Sequence, residues 1–70
     1  VQIDVEILDL SGRRVRTLFN GAESSGTFTW DWYGRDDGGT AVPPGIYLAK
    51  VSVDAERERF ERLGTVGVAY

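Results

Sequence analysis

The chain has 70 residues, 41% hydrophobic and 27% charged, the composition of one folded domain and not of a disordered or membrane-spanning chain. It contains no Cys and no His, so disulfides, thiolate or most zinc sites, Ser-His and Cys-His nucleophile systems and imidazole acid-base chemistry are all excluded. A net charge of −3 without a concentrated basic patch argues against nucleic acid, and no run approaches the ~18 apolar residues of a membrane-spanning helix.

Residues 1–70 read as a single domain. At this size folding buries only about 60% of the unfolded surface, so a few large side chains must dominate the core. No basic n-region precedes an apolar stretch, yet the first residue is Val1 and not Met. That fits a processed mature form or a segment of a longer chain.

Taken in order, Val1, Ile3, Val5 and Ile7 alternate with Gln2, Asp4 and Glu6, the period-two pattern of a strand with one face buried. Asp9, Ser11 and Gly12 supply the acceptor and the positive-φ residue of a tight turn, which predicts a hairpin into a second strand over 13–19. Its three arginines, Arg13, Arg14 and Arg16, discourage stray edge pairing. Residues 21–26 read as a loop, Ser24 and Ser25 within it lacking any base to activate them. A third strand is predicted over 27–33, with Phe28, Trp30 and Trp32 on one face. Each such ring can bury ~150–250 Å². The alternation with Thr favours a core over an exposed platform for carbohydrate, and Trp30→Ala is then expected to cost roughly 3–5 kcal/mol.

Residues 34–45 form a long Gly- and Pro-rich turn region through which no strand can run. A fourth strand over 45–55 puts Tyr47, Ala49, Val51 and Val53 on one face and Ile46, Leu48, Lys50 and Ser52 on the other. After a turn at 54–56, residues 56–63 could form a helix with Glu58 and Arg62 paired, but the apolar stripe is too thin and a fifth strand is preferred. Gly64 is expected to mark a bulge, since the apolar positions change parity around it. Five strands with no helix predict an antiparallel sandwich or small barrel, its core built on Phe28, Trp30, Trp32, Tyr47 and Val51.

Asp31, Asp36 and Asp37 beside Gly38 and Gly39 are candidate calcium ligands. Their spacing is not that of an EF-hand loop, and the preferred reading is Asx hydrogen bonding to turn amides. A glycosidase pair among these carboxylates would need a cleft that a domain this small does not offer. The arginines at 57, 59 and 62 interleave with Glu56, Glu58 and Glu61, a solvated, salt-bridged strand face and not an anion site. No catalytic residue and no cofactor is expected.

Together, ILDLSGRRVRTL (7–18), GTFTWD (26–31) and GRDDGGTAVPPGIY (34–47) resemble the Ig-like domain of flagellar hook-cap proteins. That module also occurs near the C-termini of secreted bacterial enzymes and surface proteins. The chain is similar, more weakly, to the C-terminal sorting domains of type nine secretion cargo, through its DLSGRRV hairpin and its PPGIY segment. The resemblance implies a small antiparallel Ig-like or fibronectin-III-like β-sandwich, here of about five strands, without the family's usual first strand. Trp30-Asp31-Trp32-Tyr33-Gly34 also replaces a shorter W-D-G step, and GTVGVAY lacks the basic finish of sorting domains. A missing strand would leave an edge that another chain or copy can fill. Candidate interaction edges are Val1, Ile3 and Val5 at one side and Val66, Val68 and Tyr70 at the other. The implied role is a non-catalytic extracellular or cell-surface bacterial structural module, with protein partners, either further copies or the rest of a larger chain. The alternatives are an accessory, anchoring or sorting domain of a secreted enzyme, and a flagellar hook-assembly scaffold domain.

Overall fold

Among the described residues the chain forms four strands: β1 (Gln2–Leu8), β2 (Arg14–Ala22), β3 (Gly45–Asp54) and β4 (Arg59–Val68). In the computed structural model, which describes all residues except 24–28, they make one antiparallel sheet in the order β2-β1-β3-β4. The all-β class expected from the sequence holds, and no helix occurs among the described residues.

The first strand in sequence is thus central in space. Ile3, Val5 and Ile7 are 3%, 4% and 1% exposed, because β1 has neighbours on both sides and a covered face. Cross-strand partners share a face, so Ile3, Val5 and Ile7 lie beside Val53, Val51 and Ala49 of β3. The later part of the connection from β2 to β3 lies over this face. It brings Val42 against Ile7 and Tyr47, with Val15, Leu18, Trp32, Ala49 and Val68 packed around them. Tyr47 buries its ring and donates its hydroxyl to the Pro43 carbonyl at 2.6 Å. Trp32 meets the Tyr47 ring edge-on at 5.4 Å, and Trp30 meets Phe19 at 5.5 Å.

Several expectations are corrected by this arrangement. Val1, Ile3 and Val5 do not lie on an edge: β1 pairs with β2 through Ile3 and Val5 on one side and with β3 on the other. Residues 29–33 carry no strand. The backbone there is irregular and bends at Gly34, which takes φ 73°, and the Trp32 indole N–H donates to the Arg35 carbonyl at 2.8 Å. The aromatic rings therefore dock one by one on the sheet, and the layer above it is irregular where it is described. Phe28 and the start of the expected third strand fall outside the described residues. Trp30, Trp32 and Val51 are only half-buried.

Gly64 marks no bulge, because β3 and β4 pair without a register shift from Gly45–Val68 to Asp54–Arg59. The parity change has a simpler cause: Leu63 faces away from the core and is 65% exposed. The bulges fall on β2 instead, where register shifts between Val5 and Glu6 and between Ile7 and Leu8 leave Leu18 and Val15 as the extra residues. Each extra residue is turned onto the core cluster, which is how a strand with three arginines still contributes to packing.

Candidate functional site: an open sheet edge

An open sheet has two edges, and this one treats them differently. Along β2, the loop at Asp36 and Asp37 lies against the outer side. The Asp37 N–H donates to the Val15 carbonyl at 3.1 Å, the Thr17 N–H donates to Asp37 Oδ1 at 3.0 Å, and the Arg16 guanidinium donates to the Asp36 carbonyl at 2.8 Å. Arg14 adds an ion pair to Asp37 at 3.7 Å. Two bulges and this loop blunt the edge in the way natural sheets avoid stray pairing.

β4 has neither device. Its ten residues pair with β3 alone, and among the described residues nothing covers its outer side. Which of its backbone groups point outward follows from the β3–β4 turn. Ala55 and Glu58 exchange both backbone hydrogen bonds, at 2.8 and 3.3 Å, so they are a hydrogen-bonded pair. Such pairs alternate along an antiparallel ladder, and this ladder has no shift. Phe60, Arg62, Gly64, Val66 and Val68 therefore bond to β3. The N–H and C=O groups of Arg59, Glu61, Leu63, Thr65 and Gly67 point away from the sheet.

The side chains along this edge are mixed. Glu61 forms exposed ion pairs with Lys50 at 3.7 Å and with Arg59 at 4.0 Å, contacts worth at most ~1 kcal/mol at a surface. Phe60 is 53% exposed, and Val66 and Val68 are half-buried on the core side. Tyr70 lies past the strand: its hydroxyl donates to the Val42 carbonyl at 2.8 Å and straps the chain end to the 34–42 loop.

The calcium candidates do not converge. Asp36 Oδ1 accepts from the Gly38 and Thr40 amides, each at 3.0 Å, and Asp37 is held to β2 as described. Asp31 is exposed and lines a separate shallow depression with Arg16, Trp32 and Arg35. Among the described residues no group of three or more His, Cys, Asp or Glu side chains could hold a metal ion. The turn at Asp9 is the most strongly organised polar feature. Its carboxylate accepts from the Ser11 hydroxyl at 2.6 Å, the Ser11 amide at 3.0 Å and the Arg13 amide at 2.9 Å. These bonds, the Ser11 hydroxyl first and the Arg13 amide next, hold its pKa below the ordinary carboxylate value.

The family model of the FlgD Ig-like domain matches residues 1–57. The chain belongs to the FlgD Ig-like domain family. The match carries the hook-cap resemblance, not the weaker one to sorting domains, and it places the chain with a flagellar hook-cap-related domain. No curated protein and no solved structure gives a significant match. The FlgD Ig-like match takes in β1, β2, the covering loop and β3, and it stops before β4 begins at Arg59. Sequence reasoning did place Val66 and Val68 on an edge strand. It missed the outward set centred on Leu63, whose one signal was an apolar residue out of parity with Phe60, Val66 and Val68.

Proposed function

We propose that this chain is a non-catalytic structural module of an extracellular or cell-surface bacterial assembly, joined to other protein along the β4 edge. The observation that carries the reading is the contrast between the two edges: β2 carries two bulges and is engaged by its own loop along Arg14–Thr17, whereas β4 offers ten residues of regular strand with one side unpartnered among the described residues. An uncovered strand of that length is a template for another chain. Membership of the FlgD Ig-like family supports a role in an exported, protein-bound assembly, and a hook-assembly scaffold is the specific form that this family favours. The chain performs no chemistry of its own in this reading. It lacks imidazole and thiol groups, and Asp9, Asp36 and Asp37 are engaged by backbone amides.

A photo-reactive phenylalanine analogue placed at Thr65 on β4, and separately at Thr17 on the loop-covered part of β2, tests this in the cells that make the protein. A protein adduct is expected from position 65 and little from position 17. Equal labelling at both positions, or adducts from 17 alone, would overturn the reading.

A further inference from the structure

We infer that the strand accepted by β4 is β4 of a second copy, running antiparallel across a two-fold axis that passes through Leu63 and joining two sheets into one. This rests on the reading of β4 as the joining edge, and it adds the partner and the register. A two-fold axis perpendicular to the sheet keeps each face on its own side, so the residues brought opposite each other must have the same parity. Few registers remain once the side chains are put in place.

Centring the axis on Glu61 sets Glu61 against itself, and centring it on Arg62 sets Arg62 against itself; like charges directly opposite are destabilising. A centre at Thr65 shortens the overlap. A centre at Gly64 gives the axis no side-chain contact. Centred on Leu63, the pairs are Leu63 with Leu63, Phe60 with Val66, Glu61 with Thr65, Arg62 with Gly64 and Arg59 with Gly67. Phe60 and Val66 meet twice on the core face, an aromatic and β-branched pairing that favours sheet. The exposed Leu63 meets its own copy on the other face. No charge stands directly opposite its like. The two Arg62 residues are diagonal, at ~7–8 Å, in contact with solvent that screens them.

The backbone agrees with the side chains. The residues with outward N–H and C=O groups, Arg59, Glu61, Leu63, Thr65 and Gly67, pair only with one another in this register. Every outward group over that span gains a partner, with none left pointing at a gap. Gly64 fits the same picture. Nothing lies within 4 Å of a Cβ added there, which leaves room for the long Arg62 side chain of the second copy. A glycine inside a strand weakens it without such a reason.

The absence of native cysteine makes the test direct. Single Cys substitutions at positions 61 to 65 are oxidised in separate samples, and disulfide-linked dimer is measured. The two copies of residue 63 form a hydrogen-bonded pair with Cα atoms ~5.5 Å apart, within disulfide range, so the yield is expected to peak at Leu63→Cys. Glu61→Cys and Thr65→Cys are expected to cross-link when mixed and poorly alone. A peak at Gly64→Cys, or an even yield along the strand, would overturn the register. Light scattering on the unmodified chain is expected to show mass rising toward a dimer with concentration. A monomer at millimolar concentration whose Thr65 photo-probe captures a different protein sinks the second copy and leaves the edge reading standing. A monomer with no adduct sinks both.

Discussion

At the scale of single residues, Asp9 organises the β1–β2 turn through hydrogen bonds that only its ionised form accepts fully. Its folded pKa is lowered, so its contribution is fully present above the unfolded carboxylate value and is lost as pH falls through the folded one. Asp9→Ala is therefore expected to lower the melting temperature at neutral pH and to flatten its decline in acid; a variant that declines as steeply as the parent would refute this role. The two tryptophans separate in the same way. Trp32 packs on the central cluster, whereas Trp30 meets the Phe19 ring at 5.5 Å, tilted by 38°. Urea unfolding should show a loss of about 3 kcal/mol for Trp32→Ala and a smaller one for Trp30→Ala. The sequence marked both rings as equals because alternation reports a face, not the identity of the neighbours on it. Tyr47 was more legible: the strand pattern placed it in the core, where its ring is buried and its hydroxyl donates to the Pro43 carbonyl.

At the scale of the elements, β1 was readable because a polar face opposite a dry one leaves an alternating trace, and β3 because a run of β-branched and aromatic residues follows the Gly- and Pro-rich turn, although Ser52 on the face opposite Tyr47 is also buried. β2 was harder, since its bulges put Val15 and Leu18 on the core with the parity of neither neighbour. The strand expected over 27–33 failed for a different reason: aromatic side chains bury equally well from irregular backbone, and nothing in the alternation says that a ladder partner exists. β4 supplies a sharp test of the backbone phase. Leu63→Pro removes an N–H that points outward and should leave the melting temperature of the monomer within a few degrees, while Arg62→Pro removes a bond to β3 and should cost at least ~1–3 kcal/mol. Equal losses for the two prolines would mean that the phase is wrong.

At the scale of the whole molecule, the sheet measures 40 × 20 × 19 Å with its irregular cover, and its protection is graded across the strand order. Hydrogen exchange followed residue by residue should find the slowest amides on β1 at Ile3, Val5 and Ile7, which open only on global unfolding. The amides of Glu61, Leu63, Thr65 and Gly67 should exchange fastest among strand residues in dilute solution and slow as concentration rises. Fast exchange at Ile3 or Ile7 would show that the central strand is not the stable heart of the fold. What the sequence could not reveal at this scale is strand order, because pairing between β1 and β3 joins segments far apart in the chain and leaves no local pattern.

That central position of β1 also sets the route by which the fold is reached. The β1–β2 and β3–β4 hairpins close short loops and can form early, but Leu8 finds Leu48 only after some 40 intervening residues have given up their freedom, a closure whose entropy cost grows with loop length. Zipping β1 against β3 is then the slow step, of the kind that gives sheet proteins refolding times of milliseconds to seconds. Until it occurs, each hairpin presents a second sticky side, along β1 or along β3, that the finished sheet hides. A newly made chain that met its neighbours during that interval would be open to mispairing.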